Sequence, residues 1–203
     1  MGTRNLTMVI YKKETKIAQY GQWDGYPEGQ GATILEFLRN KARVKKLTDK
    51  LKNVRFQTPE DEKKLQRLMD KMGCSDGWMT AKQSAEFHKA CPYTSRDFGG
   101  KILEAVANSE DKEIVLVDST SFAGDSLFCE WAYVIDLDKR KLEVYTGFNK
   151  EPLAEDERFA KIPKSKDSSE YTGIRCIHKF DLDKLPTKAK FIKELKAKEE
   201  VEA

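Results

Sequence analysis

The order of the sequence patterns predicts an α+β fold: a layered sandwich in which an N-terminal hairpin pairs with C-terminal antiparallel strands, with a helical block inserted between them. Strand-like patterns occupy both ends of the chain, and helical periodicity fills its middle third. Several strand patterns are apolar on both faces, which indicates a sheet buried on both sides. The 203 residues suit a single domain over residues 1–195. A tail over 196–203 is expected to fray.

The N-terminal part of the chain contains the hairpin and the start of the helical block. Residues 5–11 and 16–23 have strand composition and are separated by a charged turn. A glycine-rich loop follows. From about Gly31 a helical pattern is predicted, with apolar residues at helical intervals as far as Val54.

The middle third carries recognisable helix starts. Thr58 is predicted as the N-cap of a helix that begins with proline. Thr80 begins a capping box for the next helix. A further short helix is predicted near Ile102, and the polar, glycine-containing segment 95–100 leads into it, as the first glycine-rich loop leads into the helix near Gly31.

The C-terminal third returns to strands. They are predicted over residues 113–117, 128–135, 141–148 and 174–180. Residues 150–170 are polar and contain two prolines, which indicates a surface loop. Pro186 opens a closing helix.

Composition indicates a soluble, cytoplasmic protein. Charged residues make up 35% of the chain and apolar residues 39%, and there is neither a membrane-length apolar run nor a secretory signal pattern. The four cysteines are widely spaced and form no metal-ligand motif, so reduced thiols are expected and no metal or cofactor is predicted.

The stretch from residue 19 to residue 31 has the composition of a binding loop. It contains four glycines, one proline, three large aromatics that include Trp23 and Tyr26, and the carboxylates Asp24 and Glu28. Glycine lets backbone amides approach a ligand, and a following helix directs its partial positive charge at an anion. The competing interpretation is a structural turn whose aromatics close the end of the core.

A second candidate segment is Ser95-Arg96-Asp97, at the start of the short helix. An adjacent Arg and Asp could bind a zwitterionic or phosphate-bearing ligand, with the guanidinium as a two-pronged donor. Arg4 is a possible companion. Helix capping by Ser95 or Asp97 is the alternative.

Together these segments predict a site for a small polar or anionic ligand, for example a nucleotide signal. Asp24 or Glu28 would be the general base if a reaction occurs. The predicted ligand-binding residues are Arg4, Gln22, Trp23, Gly25, Tyr26, Gly29, Gly31, Arg96 and Asp97.

Two other patterns are given structural interpretations. Residues 124–127 match the nucleophile motif of the GDSL esterases. That family has an aspartate three positions before its catalytic histidine, whereas here Arg175 precedes His178. A polar turn is therefore predicted at Gly124 instead of a catalytic serine.

Residues 39–55 contain eight basic side chains and one acidic side chain, Asp49. A solvated helix face is expected there, nucleic acid is not expected as a partner, and an acidic protein partner stays open.

Four segments resemble a family of phage, bacterial and fungal proteins that opens with Met-Gly-Thr-Arg and carries a Gln-x-Asp-Gly-Tyr-Pro-x-Gly-x-Gly block. They are residues 1–4, 22–31, 95–99 and 125–136. No activity is established for that family, so the resemblance implies no mechanism, and a phage-type inhibitor that acts by protein–protein contact is an alternative function. A weaker architectural resemblance to N-terminal-nucleophile hydrolases implies an amidohydrolase, which here requires processing that exposes Thr3.

Overall fold

The computed structural model describes residues 2–74, 78–165 and 170–202, and the side chains only as far as residue 198. Met1 of the N-terminal block and residues 166–169 of the predicted surface loop lie outside that range. In the described residues the strands are β1 Asn5–Tyr11, β2 Glu14–Gly21, β3 Val54–Phe56, β4 Ile114–Leu116, β5 Trp131–Asp136, β6 Lys141–Thr146 and β7 Arg175–Asp181. The α-helices are α1 Ala32–Arg39, α2 Lys41–Lys50, α3 Pro59–Lys71, α4 Ala81–Ala90, α5 Ile102–Ala107 and α6 Lys188–Glu202.

The main sheet joins the N-terminal hairpin to the C-terminal strands, in the order β2-β1-β5-β6-β7. β1 pairs antiparallel with β2, and β5, β6 and β7 pair antiparallel with one another. The predicted α+β arrangement, with the helical block between hairpin and C-terminal strands, is therefore confirmed. Where the two halves meet, β1 and β5 are parallel, with Asn5 opposite Trp131. A parallel pair needs a long crossover, which the helical block supplies.

Both faces of this sheet are buried, as the strand patterns predict. On one face β1, β5 and β6 pack against α1, α2, α5 and α6. The other face is covered by loops and a short 3-10 helix, Thr120–Gly124, which contribute Phe122, Cys129, Leu153 and Phe159. The α-helices therefore cover one face of the sheet, and loops with enough apolar side chains bury the other face equally well.

A small second sheet pairs β3 with β4 in parallel, with Val54 opposite Ile114. Apolar residues recur at helical intervals as far as Val54, but helix α2 ends at Lys50. The chain passes through a 3-10 turn at Leu51–Asn53 and leaves extended. Short strands of this kind are set by their pairing partner, which a local periodicity cannot reveal.

The predicted helix starts at Thr58 and Thr80 are confirmed. The Thr58 hydroxyl accepts from the Asp61 amide at 3.3 Å while the Asp61 carboxylate accepts from the Thr58 amide at 2.9 Å. Thr80 and Gln83 form the same reciprocal pair.

A buried ionic cluster fastens the segment after β6 to the sheet. The Arg158 guanidinium donates to Asp136 on β5 at 2.6 Å and to Glu143 on β6 at 2.7 Å. The Tyr145 hydroxyl donates to the same Glu143 oxygen at 2.7 Å. Burial raises the pKa of Glu143, but the hydrogen bonds from Arg158 and Tyr145 outweigh it, and the pKa is lowered overall.

The closing helix α6 packs Phe191 and Leu195 into the helical side of the core. It continues through Lys196 to Glu202, and fraying of the tail stays a prediction. Within the part of the chain that the structure describes, none of the helices is long and apolar enough to cross a membrane.

Candidate functional site

The segments singled out in the sequence meet at one end of the main sheet. Arg4 immediately precedes β1, Gln22 follows β2, and Phe128 and Glu130 immediately precede β5. Because β2, β1 and β5 are neighbours in the sheet, these residues lie side by side. The Arg4 amide donates to the Glu130 carboxylate at 3.2 Å, and this bond links the start of β1 to the start of β5.

The loop at 22–31 and the helix entry at 95–100 are in direct contact. The Gln22 amide donates to the Arg96 carbonyl at 2.9 Å. The Trp23 indole N–H donates to the Asp97 carboxylate at 3.0 Å. The two segments, about seventy positions apart, therefore lie together as the site prediction requires.

Gln30 bridges the same two segments and was not among the predicted site residues. Its side-chain oxygen accepts from the Gly100 amide at 2.8 Å, and its side-chain nitrogen donates to the Trp23 carbonyl at 3.2 Å. Gly99 has a φ of +46° and lies so close that a Cβ there would be 2.5 Å from the Gln30 amide carbon. A larger residue here would be strained by the positive φ, and its Cβ would displace the Gln30 amide from the Gly100 amide.

Two guanidinium groups face this end of the sheet. The Arg4 guanidinium carbon lies 4.5 Å from the centre of the Phe128 ring, a cation–π contact. Arg96 is exposed. Burial raises the pKa of Tyr20, and the positive charges of Arg4 and Arg96 oppose that rise, so both cations act on the Tyr20 hydroxyl. Neither guanidinium forms an ion pair with a carboxylate of the described residues.

The aromatic rings of this region are open to solvent. Trp23 is 49% exposed, Tyr26 51% and Phe128 38%. They therefore do not close the end of the core, which was the structural alternative for the loop. Gly2 packs closely against the Trp23 ring, where a Cβ would lie 2.2 Å from a ring carbon.

The predicted glycine amides are not available to a ligand. Gly25 donates to the Thr3 carbonyl at 2.9 Å, and Gly29 and Gly31 donate to the Tyr26 carbonyl at 3.0 and 3.2 Å. A π-helical turn over Pro27–Gly31 makes the last two bonds and runs directly into α1. The expectation that these amides contact an anion is not met, because the turn satisfies them internally.

These glycines instead permit close packing. A Cβ on Gly31 would lie 2.8 Å from the Tyr133 hydroxyl, and that hydroxyl donates to the Gly25 carbonyl at 2.8 Å. A Cβ on Gly25 would lie 2.9 Å from the Thr3 carbonyl. The glycines thus position the loop rather than contact a ligand.

The two predicted bases border a shallow hollow of about 550 Å³. It is lined by Asp24, Tyr26, Glu28 and Lys196, on the side of the loop that faces α6. The Glu28 carboxylate pairs with the Lys196 ammonium, and that hydrogen bond lowers the pKa of Glu28. A general base works best with a pKa near neutral, so this pairing makes Glu28 a weak base. Asp24 has a φ of +54°, an uncommon backbone conformation for a non-glycine residue.

The GDSL-like block is structural. Ser126 is fully buried, and its hydroxyl donates to the Asn149 carbonyl and accepts from the Asn149 amide, both at 3.1 Å. His178 lies on β7, 3.8 Å from Glu194 of α6. The serine is therefore inaccessible and held in a turn, in agreement with the polar-turn interpretation.

Searches of family models, curated proteins and solved structures gave no significant match to this chain. Among the described residues, no group of three or more histidine, cysteine or acidic side chains is arranged to hold a metal ion.

Proposed function

We propose that the protein binds a small anionic ligand at the end of the main sheet, between Arg4 and Arg96. The observation that carries the proposal is a pair of guanidinium groups whose positive charges both oppose the rise in the pKa of Tyr20, and neither of which has a carboxylate partner among the described residues. Guanidinium groups bind carboxylates and phosphates through two parallel hydrogen bonds. The two cations are thus free to bind an anionic group.

The neighbouring rings favour a ligand with a planar part. Trp23 and Phe128 are both exposed, and the Trp23 N–H is already held by Asp97, so its ring orientation is fixed. A nucleotide supplies an anionic phosphate and a planar base that can stack on an aromatic ring. A nucleotide-type signal is therefore the ligand class that uses both features.

The nearby carboxylates favour a ligand of low charge. Asp97 follows Arg96 in the chain and accepts from the Trp23 N–H, and Glu130 accepts from the Arg4 amide. Like charges repel, so these carboxylates oppose a polyanion more than a single phosphate. We expect nucleoside monophosphates to bind more tightly than nucleoside triphosphates.

The proposal is tested by calorimetry and thermal shift with inorganic phosphate, nucleoside monophosphates and triphosphates, and simple carboxylates. The Arg4→Met and Arg96→Met variants are expected to weaken binding at least tenfold each, because each removes a charge-assisted hydrogen bond. Arg67→Met on the exposed side of α3 is the matched control, expected to bind like wild type.

A ligand present at one hundred times its dissociation constant stabilises the fold by about 2.7 kcal/mol, which a thermal shift detects. The proposal is refuted if none of the anions shifts the midpoint, or if the two arginine variants bind as well as the Arg67 control.

A further inference from the structure

Helix α2 is rich in lysine, and its contact with the core is made by one side only. Asn40 caps its start by accepting from the Ala42 and Arg43 amides at 3.1 and 3.2 Å. Leu47 is the fully buried residue of the helix, whereas Lys45 and Lys46 are exposed. The helix therefore lies on the body by one narrow stripe, and the rest of its circumference faces solvent.

Carboxylate partners neutralise two of the basic residues between 39 and 55. Arg43 pairs with Glu104 at 3.4 Å, and Arg55 pairs with Asp61 at 2.5 Å and with Glu113 at 2.9 Å.

Five lysines of the same segment form no ion pair within the described part of the chain. Lys41 is the first residue of α2, and the other four, Lys45, Lys46, Lys50 and Lys52, lie further along; we call these four the α2 lysines. Lys50 is half-buried, and the other three of the α2 lysines are exposed. Asp49 lies between them in sequence but pairs with none of them. This face thus carries a net positive charge that the protein itself leaves uncompensated.

We propose that the α2 lysines contact the phosphate backbone of double-stranded nucleic acid, without reading its sequence. The sequence alone favours a solvated face here; the ion pairs, which neutralise Arg43 and Arg55 but none of the α2 lysines, change that expectation. Duplex DNA carries about one negative charge per 1.7 Å of axis, and the ten residues of α2 span about 15 Å. Several phosphates are therefore within reach of one helix.

The composition of the face favours phosphate over the other polyanionic partners. Large apolar side chains are not exposed between residues 41 and 53, since Leu47 and Leu51 point into the core. A protein interface needs an apolar centre, and single-stranded nucleic acid is held by stacking on aromatic rings. A duplex backbone needs neither.

The test is fluorescence anisotropy with two labelled 20-base-pair duplexes of unrelated sequence, between 50 and 200 mM salt. Four phosphate contacts predict a slope of log affinity against log salt near −3.6, which is a loss of about 150-fold over this range. The double variant Lys45→Gln with Lys46→Gln keeps two contacts and should lose only about 12-fold. Both duplexes should give the same result.

The matched control replaces two exposed lysines that already have carboxylate partners. Lys188 lies 3.9 Å from Glu36, and Lys190 lies 3.6 Å from Glu194. Changing both to Gln removes the same formal charge and should leave the salt slope at the wild-type value.

Three outcomes would overturn the inference. The first is an unchanged slope in the Lys45/Lys46 variant, and the second is an equal reduction in the Lys188/Lys190 control. The third is tighter binding to poly-glutamate than to duplex at matched charge, which would assign the face to an acidic protein. The Arg4→Met variant should bind duplex like wild type, so that failure of the small-ligand proposal and failure of this one are distinguishable.

Discussion

Replacing Arg158 by Ala should be among the most damaging single changes in the molecule. The guanidinium is 20% exposed, whereas the carboxylates of Asp136 and Glu143 that it joins are 2% and 5% exposed. Removing one partner of a buried ion pair costs about 3–5 kcal/mol, because the other charge is left buried and unpaired. Asp136 keeps a bond from the Lys139 amide and Glu143 keeps one from Tyr145, so we expect the lower end, about 3 kcal/mol.

Urea unfolding followed by tryptophan fluorescence measures this loss directly, and a thermal melt should show a midpoint lower by about 6–12 °C. Lys161→Ala is the control: it lies on the same segment, is exposed, and should change stability by about 0.5 kcal/mol or less. A loss below about 1 kcal/mol for Arg158→Ala would refute the assignment of this cluster as the anchor of the segment.

The same variant has a distinctive pH dependence. In the wild type the pKa of Glu143 is lowered, so its stabilising contribution is present above the unfolded pKa, about 4.3, and is lost as pH falls through the folded value. Without Arg158, burial dominates and the pKa of Glu143 should rise above the unfolded value. The stability difference between wild type and variant should therefore be largest at pH 7 and shrink towards pH 4. A difference independent of pH would contradict this.

Three further predictions concern the loop that supports the candidate site. Gly31→Ala should lower the free energy of unfolding, measured in urea, by about 1–3 kcal/mol, because the new Cβ would press on the Tyr133 hydroxyl. The backbone of Gly31 is helical, so the loss would come from this contact, and an unchanged stability would contradict it. Tyr133→Phe should lower the free energy of unfolding by about 1 kcal/mol, because the buried Gly25 carbonyl loses the hydroxyl that donates to it. An unchanged free energy of unfolding would refute the role of this hydrogen bond. Lys196→Ala should raise the pKa of Glu28, measured by NMR titration, with under about 1 kcal/mol lost because the pair is exposed; an unmoved pKa would refute the pairing.

Local signals in the sequence were reliable where the responsible interaction is local. The hairpin strand over residues 5–11, the N-cap at Thr58 and the capping box at Thr80 occur where they were predicted. The change of structure at Val54 was missed, because its partner Ile114 lies sixty positions away. The strand predicted from Phe128 begins instead at Trp131, since Asp125 holds the Phe128 and Cys129 amides in a turn.

The candidate site could be predicted in outline but not in its contacts. The density of glycines, aromatics and charges between 22 and 31 indicated the loop, and the Arg-Asp pair at 96–97 indicated its neighbour. The role of Gln30 could not be read from spacing, since its partner Gly100 is brought near by the fold. Lys196 was assigned to a fraying tail, although its ammonium reaches Glu28 across the loop.

The parallel pairing of β1 with β5 sets the order in which the protein can assemble during synthesis. Asn5 lies opposite Trp131, and contacts across this seam join residues 126 positions apart. The hairpin leaves the ribosome long before β5 is synthesised, so one edge of β1, which includes the apolar residues from Leu6 to Ile10, stays unpaired during that time. At about 5–20 residues per second this interval lasts several seconds at least. Nascent chains halted before residue 131 should therefore depend on chaperones far more than chains halted after 146.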